Sequence, residues 1–165
     1  MHSRERDSVL HTWCVPAEWD APTVVGGRGA RLLLEDGREL LDMSSLAECS
    51  NLGHQHPAVV RAIRGQAERL CFVTNAWGAE PRRALAERLL EKAGFEGGRV
   101  YFTLGGADAN EHAVKFARQA RGLPQGLVIT RERSYHGASY ATMALSDDER
   151  TRRQVDPAAF QVLHV

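Results

Sequence analysis

Apolar and polar positions divide this chain into short elements. In ARLLLEDGRELLDM, residues 30–43, two apolar runs flank Asp36-Gly37. This predicts a hairpin with strands over 31–35 and 38–42, joined by a two-residue type I′ turn. Pro57 predicts a helix start, and Val59, Val60, Ile63, Ala67 and Leu70 give that helix one apolar face to about Cys71. Pro81 starts a second helix carrying Leu85, Leu89 and Leu90, which Gly94 stops. Residues 99–103 (RVYFT) have the β-branched and aromatic make-up of a buried strand. After Gly105-Gly106, Ala109, Ala113, Phe116, Ala117 and Ala120 recur at helical spacing up to Arg121, and Gly122 and Pro124 end the run. A strand over 126–130, a loop around Tyr135, a short helix to about Leu145, a charged loop over 146–157 and a strand from Val162 to Val165 complete the pattern. Residues 1–12 are polar, 13–22 are punctuated by Trp13, Pro16, Trp19 and Pro22, and 44–56 read as an irregular loop.

Composition narrows the function classes. With 43% hydrophobic residues, 25% charged residues and zero formal net charge, the chain has no electrostatic reason to bind nucleic acid or an anionic membrane. No apolar run has the length of a membrane span, and the charged N-terminus has no secretory pattern, so a cytoplasmic protein is expected. Cys14, Cys49 and Cys71 suggest neither a disulfide framework nor a zinc site. His54 and His56 lack a completing ligand at a recognisable spacing and read as turn or capping groups. Lysine is scarce: only Lys92 and Lys115 among 21 basic residues.

The chemistry gathers at two strand ends. A strand, a glycine turn and a helix start aim free N–H groups and a helix dipole at one point, which suits a phosphate. Neither G-x-x-x-x-G-K-[ST] nor G-x-G-x-x-G is present. By itself the turn fits equally an ordinary βα connection, with a left-handed glycine and Asp108 as cap. After the strand at 126–130 come Tyr135, His136 and Gly137. An anion cradle after one strand and an aromatic face after another suit a phosphorylated planar heterocycle.

These residues carry a resemblance to the class III aminotransferases, pyridoxal-phosphate enzymes of fold type I. The family's F-T-N-S-G-S-E-A-N-E resembles Phe102-Thr103-Leu104-Gly105-Gly106-Ala107-Asp108-Ala109-Asn110-Glu111, and its Tyr-His-Gly resembles Tyr135-His136-Gly137. Upstream, Leu41-Asp42 and Asn51-Leu52-Gly53-His54-Gln55-His56-Pro57 fit the same pattern. The GGADAN and GHQHP wording looks most like the taurine–pyruvate branch.

The resemblance implies an α/β fold, a partial fold type I transferase. Residues 1–56 would be a small-domain segment holding the hairpin at 31–42, and 57–165 the first part of the large parallel-sheet domain. It implies transamination between an amine or ω-amino acid and a keto acid, in a homodimer using pyridoxal 5′-phosphate. Gly105, Gly106, Ala107, Tyr135 and His136 would bind the cofactor, and Ser45, Glu48 and Cys49 would lie on the substrate side. No catalytic residue is assigned in this chain, because neither Lys92 nor Lys115 matches the family's cofactor-bearing lysine. The strands over 126–130 and 161–165 are expected side by side, with the neighbours of 99–103 supplied by sequence beyond Val165. The reading is therefore an N-terminal portion of an aminotransferase, neither catalytic nor a stable monomer by itself. A non-catalytic interaction module and one half of a split enzyme are the alternatives.

Overall fold

In a computed structural model, which describes residues 4–149 and 161–165, the chain divides into two compact units, Met1–Glu80 and Pro81–Val165. The first is built on a three-stranded antiparallel sheet in the order β1-β2-β3, comprising β1 (Val24–Arg28), β2 (Arg31–Leu34) and β3 (Glu39–Leu41). Leu32 faces Leu40 and Leu33 faces Glu39 across the predicted hairpin. The turn differs from expectation. Leu34 accepts the Gly37 N–H at 3.0 Å and donates to Arg38 at 2.9 Å, enclosing three residues. Gly37 holds φ at +86°, whereas Asp36 is not among the positive-φ residues. This is a type I turn closed by a glycine bulge. Asp36 acts through its side chain instead. Its carboxylate accepts the Arg38 N–H at 3.1 Å and Nε at 2.8 Å. Those bonds hold the Asp36 carboxyl below its ordinary range.

β1 was not legible in the sequence, since Gly26 and Gly27 interrupt its pattern. The glycines serve contact instead. A Cβ at Gly27 would lie 3.0 Å from His54 Cβ, where residues 29 and 54 form an isolated bridge. The loop after β3 also contains α1 (Ser45–Glu48), a single turn whose four residues all have positive φ, between 46° and 63°. α2 (Pro57–Arg69) follows as predicted, two residues shorter, with Ile63 exposed on it.

In the second unit, α3 (Glu80–Ala93) ends at Gly94, which has φ of +67°. α4 (Gly106–Arg121) ends in a Schellman arrangement. Gly122 adopts the left-handed conformation and the Leu123 N–H reaches Arg118 O at 3.1 Å. β4 (Val128–Thr130) pairs in parallel with β5 (Val162–His164), and α5 (Tyr140–Leu145) packs beside them. The strand expected over 99–103 does not form. The segment is irregular and pairs with no strand among the described residues. A strand exists only when a neighbouring backbone completes its ladder, whatever its side chains prefer. Residues 150–157 of the charged loop lie outside the described residues. Among the described residues no helix is long and apolar enough to cross a membrane.

Burial is sparse. Leu34, Ala144 and Leu145 are the buried apolar side chains among the described residues, with Thr142 and Ser146 as buried polar ones. Phe72, Trp77, Tyr101 and Leu104 are all exposed.

Candidate functional site

α4 begins without a side-chain cap. Gly105, its N-cap, is fully extended at φ −177° and ψ 178°. The helical bonding starts with Ala109 N–H to Gly105 O at 3.0 Å. The N–H groups of Gly106, Ala107 and Asp108 precede that bond, so the positive end of the helix is open. Neither Gly105 nor Gly106 has positive φ, which removes the left-handed explanation for this glycine pair. A Cβ added at either would meet nothing within 4 Å. The fold around them does not demand glycine, but the space they leave lets a ligand approach the backbone. Thr103 Oγ1 donates to Gly105 O at 3.2 Å. Asp108, inside the helix, reaches back and accepts the Leu104 N–H on Oδ2 at 3.2 Å, leaving the helix's own first N–H groups open.

The Tyr135-His136-Gly137 loop sits directly against this turn. Gly137 is buried, holds φ at +136°, and a Cβ there would lie 2.6 Å from Ala107 Cβ. Asn110 Nδ2 donates to His136 O at 2.8 Å, and Glu111 Oε1 accepts Ser139 Oγ at 2.6 Å and the Ala141 N–H at 3.1 Å. Consecutive residues of α4 thus hold both ends of the loop. The His136 N–H donates to Ser146 Oγ at 2.9 Å, and its ring Nε2 lies 3.0 Å from Ser134 Oγ. Ser146 Oγ passes a bond on to Thr142 O at 2.7 Å. Tyr135, flanking this anchored backbone, is 47% exposed. The turn of Gly105, Gly106 and Ala107 and the loop carrying Tyr135 and His136 therefore adjoin where Gly137 meets Ala107. An uncapped helix start lined by glycine, with an exposed aromatic ring on the adjoining loop, fits a phosphorylated ring compound.

Ser45 and Glu48 belong to the first unit, in the left-handed turn α1, with Cys49 next to it. Their support was not foreseen. Asp42 Oδ1 accepts the N–H groups of Ser44 at 3.1 Å and Leu46 at 3.4 Å, and the Ser44 hydroxyl at 3.3 Å. Its Oδ2 meets His54 Nε2 at 2.8 Å, with 4% of the Asp42 side chain exposed. Burial pushes the Asp42 carboxyl up, yet the His54 bond and the donors from Ser44 and Leu46 more than offset it, leaving its pKa lowered. His54 is thus a structural partner of Asp42. Among the described residues no group of three or more His, Cys, Asp or Glu side chains could hold a metal. Lys92 and Lys115 are exposed on α3 and α4.

Sequence reasoning also passed over His112, bonded to Asp108 and Tyr101. The Asp108–His112 spacing of four on a helix was a readable signal. The partnership with Tyr101 was not readable, because it depends on where the segment before the glycines runs.

The family model for aminotransferase class III matches residues 17–165. The chain is 42% identical over 142 residues to the acetylornithine aminotransferase of Streptomyces coelicolor, covering 86% of this chain and 34% of that protein. It is 34% identical over 156 residues to the acetylornithine aminotransferase of Halalkalibacterium halodurans, covering 94% and 39%. Among solved structures, it is similar to a taurine:2-oxoglutarate aminotransferase from Bifidobacterium kashiwanohense, in complex with PLP and glutamate. That similarity has a TM-score of 0.87 at 34% identity and covers 97% of this chain and 36% of that one. The chain spans a little over a third of the length of the curated relatives it matches.

Proposed function

Because the chain belongs to the class III aminotransferases, we propose that it supplies the phosphate-binding and ring-stacking part of a pyridoxal 5′-phosphate site in a transaminase. The observation that supports this reading is the seating of Gly137 on Ala107, which sets the aromatic loop against the glycine turn. The N–H groups of Gly106 and Ala107 would hold the phosphate, and Tyr135 would stack on the ring. Such stacking is worth roughly 0.5–1.5 kcal/mol beyond area burial. His136 fixes the loop through Ser134, Ser146 and Asn110. When bound, the cofactor supplies an electron sink for bond cleavage at the substrate carbon. The family's usual serine is Ala107 here, and losing one neutral hydrogen bond costs on the order of 1 kcal/mol.

The substrate class proposed is an amine or ω-amino acid with a keto acid acceptor. The taurine-like wording around Gly105 favours the taurine branch, whereas the acetylornithine relatives favour a different donor. In both named substrates a primary amine lies at the end opposite an acid group, and that feature is the one retained. The same reading takes 1–56 as a small-domain segment and 57–165 as the start of the large domain, in a cytoplasmic homodimer. Catalysis needs a cofactor-bearing lysine that neither Lys92 nor Lys115 provides by motif.

Titrating the full chain with pyridoxal phosphate tests the site. A Cβ at position 106 meets nothing within 4 Å, so Gly106→Val should spare the fold and weaken binding at least tenfold, while Ala107→Ser should bind equally or more tightly. Equal affinity of the Gly106→Val variant and the unaltered chain removes the phosphate role from this turn.

A further inference from the structure

The segment feeding the phosphate turn, residues 99–104, has no strand partner among the described residues, and a short circuit of contacts ties it to α4. The Tyr101 hydroxyl lies 3.2 Å from His112 Nε2, with the two rings 4.8 Å apart, and Tyr101 meets Phe116 edge-on at 5.2 Å. The other imidazole nitrogen, Nδ1, lies 2.9 Å from Asp108 O and 3.2 Å from Asp108 Oδ1. Both of those atoms are acceptors when the carboxylate is ionised, so Nδ1 is assigned the proton and Nε2 accepts from Tyr101. Asp108 Oδ2 in turn accepts the Leu104 N–H. The circuit Tyr101–His112–Asp108–Leu104 therefore closes around the residue that precedes Gly105. His112 is the member that touches both sides of it.

We propose that His112 is a positioning residue for the phosphate turn. By bridging Tyr101 and Asp108 it holds the chain at Leu104 and Gly105, and so keeps the Gly106 and Ala107 N–H groups set for an anion. The inference rests on the phosphate-turn reading above. A binding constellation loses affinity when its supporting residues let it drift by about half an ångström. The His112 side chain is 26% exposed, so it contributes less as core filling than as a two-sided bridge. An alanine at 112 would leave Asp108 and Tyr101 without their common partner.

The test uses dilute full chain carrying His112→Ala, His112→Gln or Tyr101→Phe. Inorganic phosphate is titrated while the amide resonances of Gly106 and Ala107 are followed, helix content is checked by circular dichroism, and amide exchange is read at Leu104 and Val114. The unaltered chain should bind phosphate. His112→Ala should weaken it about tenfold and Tyr101→Phe about threefold. His112→Gln, which can both donate and accept, should recover most of the loss. Leu104 exchange should quicken in His112→Ala while Val114 stays unchanged. Equal phosphate affinity in His112→Ala, or a glutamine variant as weak as the alanine one, overturns the positioning role. Should His112→Ala lose helix content, Tyr101→Phe decides: unaltered affinity there overturns the proposal. Absence of phosphate binding in the unaltered chain instead brings down the phosphate reading, and the role of His112 with it.

Discussion

A methyl group added at Gly137 would sit 2.6 Å from both Ala107 Cβ and Thr142 Oγ1, on a backbone already held at φ +136°. Strain and overpacking coincide there, each costing about 1–3 kcal/mol. Gly137→Ala is therefore expected to destabilise the second unit by about 3 kcal/mol in denaturant unfolding. Gly106→Ala, where a Cβ meets nothing within 4 Å, should leave stability nearly unchanged. Equal effects of the two substitutions would mean that the loop does not rest on the glycine turn. Asp42 gives a second expectation at this scale. Its pKa is lowered in the fold, so its bonds to Ser44 and Leu46 persist above the usual carboxylate range. They are lost as pH falls through the lowered value. At neutral pH, the Ser44 and Leu46 amides should exchange more slowly than in Asp42→Asn. Below the lowered value the difference should vanish; a difference that persists there would assign the protection to something other than the carboxylate.

Among the elements, the hairpin shows how a correct motif can conceal the wrong turn. Asp-Gly between two apolar runs marked the hairpin, and the pairing of Leu32 with Leu40 follows from it. The turn type depended on register. With Leu34 paired to Arg38, three residues close the loop and only Gly37 needs positive φ. Gly37→Ala should cost about 1–2 kcal/mol in unfolding experiments, the penalty for placing a side chain in the left-handed region. Asp36→Ala should cost less, since it removes only exposed bonds to Arg38. The reverse order would show that the Asp36 side-chain bonds, and not the Gly37 backbone, hold this turn. Periodicity and caps located α2, α3 and α4 to within two residues, because their signals are local: Pro57 at a start, Gly94 and Gly122 at stops.

For the whole molecule, sparse burial is the governing fact. Three apolar side chains are buried among the described residues, while Phe72, Trp77, Leu104 and Ile129 stand exposed on the two units. Ile129 lies on β4 beside an apolar pocket of about 550 Å³ between α4 and that strand. Exposed apolar surface on this scale drives association. The full chain is expected to bind a hydrophobic dye and to self-associate as its concentration rises, read by size-exclusion chromatography. A dye-silent, monodisperse monomer across that range would show the core to be sufficient as it stands.

The sequence by itself determined the hairpin and helices α2 to α5, and it proposed the residues of the candidate cofactor site. Each is written in neighbouring residues, as spacing, caps and short motifs. Only the tertiary structure decided that Gly137 bears on Ala107, that His54 serves Asp42, and that Gly26 and Gly27 belong to a strand. It also decided that Ser45–Glu48 turns left-handed and that residues 99–103 stay unpaired despite their strand composition. These outcomes share one physical cause. A backbone or side-chain group meets whichever partner the fold brings within reach, and that partner can lie dozens of residues away, where no local pattern records it.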